Sequence, residues 1–137
     1  MARQFVVQLE NHPGELAHIA RAFAARGINL LNVACVGAGP LACMVASTDD
    51  DAAARKVLYA LGHEFIEGQP IVVEVEDRPG GLADVSERLA AAGVNITGML
   101  PIGRGPGVVV MAFCVDDEAR ARAALGMEPV PAAGLPS

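Results

Sequence analysis

Two stretches of the sequence place a side-chain oxygen just ahead of a glycine-opened helix start: Asn11-His12-Pro13-Gly14-Glu15-Leu16 and Asp77-Arg78-Pro79-Gly80-Gly81-Leu82. The first N–H groups of a helix have no intrahelical partner, and the helix dipole favours an anion there. Gly14, Glu15 and Leu16 can therefore present donors to an anionic group, and so can Gly80, Gly81 and Leu82. Asn11 and Asp77 supply an oxygen able to accept from a cationic donor. Taken singly, each feature has a plainer reading: Asn11 and Asp77 as helix caps, Pro13-Gly14 and Pro79-Gly80 as turns. Their joint recurrence favours a small-ligand site. The two copies differ, with Asp77 charged where Asn11 is neutral and Gly81 in place of Glu15, so unequal affinities are expected.

Other chemistry is thin. His12 lies beside the first candidate site, but Arg78 occupies its counterpart, which excludes a shared catalytic base. His18 and Glu15 stand one helical turn apart without a third ligand, so no metal site is expected. Cys35 and Cys43 fall roughly opposite one another across a hairpin, and small buried thiols are the expected state. No Ser/His/Asp set and no phosphate-cradling loop are present, and Gly103-Arg104-Gly105 sits in a hairpin turn, not at a helix start. The expectation is a protein without catalytic residues or cofactor.

The elements that must position these residues come from a duplication. Sliding the chain by 66 residues aligns its halves without a gap, with 18 of 54 positions identical between 4–57 and 70–123. Phe5–Glu10 and Ile71–Glu76 are rich in β-branched residues and read as strands. Leu16, Ile19, Ala20 and Phe23, and again Leu82, Val85 and Leu89, recur at helical spacing, with Gly27 and Gly93 placed to end each helix. Asn29–Val36 with Leu41–Ser47 and Asn95–Ile102 with Gly107–Val115 read as hairpins, turning at Gly37-Ala38-Gly39-Pro40 and Gly103-Arg104-Gly105-Pro106. Asp49-Asp50-Asp51 and Asp116-Asp117-Glu118 open second helices that run to about Leu61 and Leu125. Glu64–Gln69 reads as a fourth strand, completing βαββαβ in the first half.

The predicted fold is α+β: tandem ferredoxin-like βαββαβ repeats, antiparallel sheets paired side by side with helices on one face, forming one sheet of about eight strands. The first repeat is assigned to 1–69 and the second to 70–128. Pro129, Pro131, Gly134 and Pro136 argue against a regular last strand, so 129–137 is expected to be a disordered tail.

The composition narrows the function. With 137 residues, 53% hydrophobic and 19% charged, the chain suits one domain or two small ones sharing a sheet. A net charge of −6 without a Lys/Arg cluster argues against nucleic acid, and Phe5, Phe23, Phe65, Phe113 and Tyr59 are too scattered to stack bases. No apolar run approaches the ~20 residues of a membrane span, and no signal-peptide pattern opens the chain. Three cysteines without a CxxC pair suit reduced thiols, so the expected location is cytoplasmic.

A strand, then Asn/Asp-x-Pro-Gly-x-Leu opening a helix, then Gly27-Ile28-Asn29 or Gly93-Val94-Asn95 opening the next strand, resembles the ACT domain. The resemblance occurs twice and spans residues 4 to about 126, with an incomplete second repeat as its departure. It implies a free amino acid bound where two such domains pair, and occupancy reported to a partner enzyme or regulator. By that resemblance Asn29 and Asn95 reach the ligand from the same or a paired domain. A homodimer is the expected assembly. The alternative is an interaction or scaffold module of the same fold with no small-molecule ligand.

Overall fold

A computed structural model describes residues 3–128; the tail assigned to 129–137 lies outside the described residues. The first repeat runs β1 (Gln4–Glu10), α1 (Glu15–Ala25), β2 (Leu30–Ala38), β3 (Leu41–Thr48), α2 (Asp51–Leu61), β4 (Phe65–Gly68). The second runs β5 (Ile71–Glu76), α3 (Gly81–Ala91), β6 (Ile96–Gly105), β7 (Val108–Val115), α4 (Glu118–Ala124). Both helix starts expected from acidic runs are formed by N-caps: Asp50 accepts from the Ala53 N–H and Asp117 from the Arg120 N–H, each at 3.0 Å.

Alternation along β1 sends Phe5, Val7 and Leu9 to one face, where they meet Ile19 and Phe23 of α1 and Ala54, Val57 and Leu58 of α2 in one core. The second repeat buries Ile71, Leu89, Val94 and Ala121 together, with Val75, Met111 and Phe113 forming an adjoining cluster. Each fully buried large apolar side chain contributes roughly 1.5–3 kcal/mol.

Three expectations need correction. The strands do not join into one sheet of about eight: they form an antiparallel sheet in the order β2-β3-β1-β4 and another in the order β5-β7-β6, with no eighth strand among the described residues. Within the chain the two sheets meet through their helix-free faces. Gly98 on β6 lies against Val6, where an added Cβ would come within 2.8 Å of Cγ2, and Gly68 on β4 lies against the Cys114 sulfur. Gln4, Leu100, Ala112 and Cys114 are buried by this contact, since all point away from the helices. The join between the repeats is only Gln69 and Pro70.

The gapless register fails at the second hairpin. The first hairpin turns at Gly39-Pro40, between the paired residues Ala38 and Leu41, but the second turns at Pro106-Gly107, between Gly105 and Val108. The extra residue is taken up by a bulge in β6 between Pro101 and Gly103. Beyond it the repeats correspond at a spacing of 67: Asp50 with Asp117 as caps and Ala54 with Ala121 at 0% exposure. The same turn geometry offsets the thiols. Cys35 faces Met44 and Cys43 faces Val36, so the two lie on opposite sides of the sheet; Cys35 is exposed, not buried, while Cys43 is half-buried and Cys114 buried. No helix among the described residues is long and apolar enough to cross a membrane.

Candidate functional site

Each β1–α1 type loop leaves the end of a strand, meets its own hairpin turn and enters a helix through a glycine in the left-handed region, Gly14 at φ 89° and Gly80 at φ 88°. Neither helix has a side-chain cap bond, so Asn11 and Asp77 are not the caps that the plainer reading assigns them. Instead both are tied to the neighbouring hairpin. The Asn11 N–H donates to the Pro40 carbonyl at 3.0 Å and its Nδ2 to the Gly39 carbonyl at 2.9 Å. The Asp77 N–H donates to the Gly107 carbonyl at 3.0 Å, and Arg104 Nη1 donates to its Oδ2 at 3.2 Å. Gly37 makes the first arrangement possible, because an added Cβ would stand 2.6 Å from Asn11 Oδ1.

The donors at the helix starts are open. Glu15 N–H reaches the His12 carbonyl at 3.4 Å and Gly81 N–H the Arg78 carbonyl at 3.0 Å, but the N–H groups of Leu16, Ala17, Leu82 and Ala83 have no acceptor among the described residues. Leu16 and Leu82 expose their apolar side chains beside these donors, at 44% and 43%. Each loop can thus offer two adjacent N–H groups to a carboxylate with an exposed leucine alongside.

A basic side chain stands over each loop in the same manner. His12 Nδ1 lies 3.1 Å from the Pro13 carbonyl and Nε2 lies 3.0 Å from a Glu10 oxygen and 3.3 Å from a Glu15 oxygen. The hydrogen bond to Pro13, then the bond to Glu10 and the charges of Glu15 and Glu10, hold the imidazole above the ordinary histidine pKa. Arg78 repeats the pattern permanently charged, bonded to Glu76, to Asp84 at 2.7 Å and to the Pro79 carbonyl at 3.0 Å. Glu10, Glu76, Asp84, Gly37 and Arg104 all serve the loops yet escape a motif search. The identity of Glu10 and Glu76 in the aligned repeats is the signal that could have found two of them.

Asp77, Arg78 and Leu82 border a cavity of about 200 Å³ with Val75, Val109 and Met111. Beside the first loop, Glu10, Glu15, His18, His63 and Glu64 line a polar cleft of about 520 Å³. His18 faces this cleft, and no cluster among the described residues is arranged to hold a metal.

Asn29 and Asn95 are not brought to these loops. Asn29 N–H donates to Asp49 Oδ1 and Asn95 N–H to Asp116 Oδ1, both at 2.9 Å, at the far end of β2 and β6. The length of β2 separates Asn29 from the Asn11 loop, roughly 25 Å at about 3.3 Å per residue. Both asparagines are exposed, and their side-chain amides make no hydrogen bond among the described residues.

Comparisons with known proteins agree with the duplication. Residues 71–126 match the ACT domain and residues 5–64 match the AHAS small subunit-like ACT domain. A search of curated proteins finds no match. Among solved structures, protein BT0572 from Bacteroides thetaiotaomicron superposes with a TM-score of 0.66 at 22% identity, over 91% of this chain and 86% of that one. The regulatory subunit of aspartate kinase from Thermus flavus superposes with a TM-score of 0.60 at 19% identity, over 92% and 93%. The ligand-free subunit from Thermus thermophilus gives 0.56 at 21%, over 91% and 90%. At these identities the likeness is one of fold, and it extends over both repeats of this chain. With both halves matched by ACT models and folded alike, the chain belongs to the ACT domain family and carries two ACT domains in tandem.

Proposed function

We propose that this protein is a non-enzymatic regulatory module that binds a free amino acid at its β1–α1 and β5–α3 loops and reports occupancy to a partner enzyme or regulator in the cytoplasm. The observation that carries this reading is the pair of open N–H groups at each glycine-opened helix start, Leu16 with Ala17 and Leu82 with Ala83. They suit the carboxylate of the ligand, while Asn11 or Asp77 accepts from its ammonium. The likeness to regulatory subunits of aspartate kinase supports the same role.

The repeats 1–69 and 70–128 are the two ligand-bearing units, and a second copy of the chain completes each site. Asn29 and Asn95 stand at the wrong end of their own repeat, so a neighbouring chain must bring them to a loop, through the edge strands β2 and β6. A ligand gripped across such a junction favours the paired arrangement and changes what the outer faces offer a partner. The second reading is an interaction module without ligand, favoured by the engagement of Asn11 and Asp77 with their own hairpins.

A thermal-shift screen against the twenty amino acids at millimolar concentration separates the two. Ligand at ~100 times Kd adds about 2.7 kcal/mol of stability. A selective shift that disappears in Asn11→Ala or Asp77→Ala is expected; no shift with any amino acid gives the interaction module.

A further inference from the structure

We propose that the seam between the two sheets is a second binding site, for a small neutral molecule that carries a hydroxyl group. A cavity of about 130 Å³ lies there between the helix-free faces. Its apolar wall comes from both repeats, Leu31 from the first and Leu100, Ile102 and Ala112 from the second. A wholly apolar cavity of about 150 Å³ takes up a molecule the size of benzene.

The polar wall fixes the ligand's functional group. Gln4 lines the cavity at 1% exposure, and its Oε1 is buried without a hydrogen-bond partner among the described residues. A buried acceptor left unpaired is unfavourable, and an occupant with a donor removes that penalty. Ser47 stands directly opposite Gln4 in the β1–β3 ladder, and its Oγ already accepts from Asn32 Nδ2 at 3.3 Å. The Ser47 hydroxyl proton remains available to donate. A ligand hydroxyl can donate to Gln4 and accept from Ser47 at once, which neither a hydrocarbon nor a carbonyl can do. No charged side chain lines the cavity, so a zwitterion has no counter-charge here. The site is therefore distinct in chemistry from the loops and does not depend on the amino acid reading. Because its walls belong to both repeats, an occupant stabilises the closed arrangement of the two sheets.

Phenol and toluene, equal in heavy atoms and differing in the hydroxyl, are the probes, titrated into the full chain by ligand-observed NMR and calorimetry. The expected result is one saturable phenol site per chain, at least fivefold tighter than toluene, with that preference lost in Gln4→Leu. Leu31 is 50% exposed at the edge of the cavity. Leu31→Trp fills the space without touching either core, and should weaken phenol at least tenfold while circular dichroism stays unchanged. If neither probe saturates, the cavity holds only water and the proposal fails. Phenol binding that survives Leu31→Trp, or that is no tighter than toluene binding, overturns it equally, whether or not Gln4→Leu folds.

Discussion

Substituting Gly81 by alanine tests how tightly the second loop is built. A Cβ at Gly81 would stand 2.0 Å from the Glu76 carbonyl oxygen and 3.0 Å from its carbon, where ordinary contact begins at 3.4 Å. Both obstructing atoms are backbone, so relief requires the start of α3 or the end of β5 to move by about 1.4 Å. Overpacking of this kind costs about 1–3 kcal/mol, and the better helix propensity of alanine returns roughly 0.5–1 kcal/mol. The net expectation is a loss of about 1–2 kcal/mol, a fall in Tm of roughly 3–10 °C for a chain this size. Scanning calorimetry measures it directly. Glu15→Ala is the control, since a side chain already occupies that position in the first repeat, and its Tm should move by no more than a degree or two. The same displacement carries the Leu82 and Ala83 N–H groups with it, so any amino acid response of the second loop should weaken in Gly81→Ala. A Tm at or above that of the parent protein would show that the close approach of α3 to β5 does not constrain the loop, and the reasoning would fail.

The imidazolium of His12 is favoured in the folded state, so its stabilising contribution is fully present below the ordinary 6.5 and fades as pH rises through the higher folded value. An NMR titration should place the His12 midpoint above 6.5, and Glu15→Gln should lower it; a midpoint unmoved by that change would remove Glu15 from the clamp. Asp50→Ala and Asp117→Ala each delete a helix cap and should cost about 1 kcal/mol in urea unfolding. Losses below ~0.3 kcal/mol in both would mean that solvent serves those N–H groups equally well.

Local chemistry was readable wherever one residue type dictates backbone geometry. Gly14 and Gly80 opening helices, Asp50 and Asp117 capping them, and the alternation of Phe5, Val7 and Leu9 all announce their structural roles in the sequence. What depends on distant partners was not readable. Asn11 has the composition of a cap, yet its side chain is taken by the Gly39 carbonyl, 28 residues away, because Gly37 leaves room for it. Asp77 pairs with Arg104, which the sequence places in a turn and the structure places on β6 opposite Val109. The packing of the sheets through Gly98 and Gly68 was hidden for a related reason: a glycine in a strand shows that something comes close, but not what. That Asn29 and Asn95 stand away from the loop of their own repeat follows from the direction of β2 and β6, which the Gly-x-Asn motif does not reveal.

The bulge at Pro101–Gly103 shows where a duplicated fold can diverge. β6 is an edge strand and pairs with β7 alone, so an inserted residue disturbs one ladder and is absorbed before the turn. The same insertion in β7, held between β5 and β6, would have to be accommodated on both sides at once and would reverse the faces of Met111 and Phe113. Length variation in such a duplicated fold is therefore tolerated best in the edge strands, β2 and β6 among them. These are also the strands through which a second chain is proposed to pair, so the two loops of one molecule can drift toward different ligands while both cores stay intact.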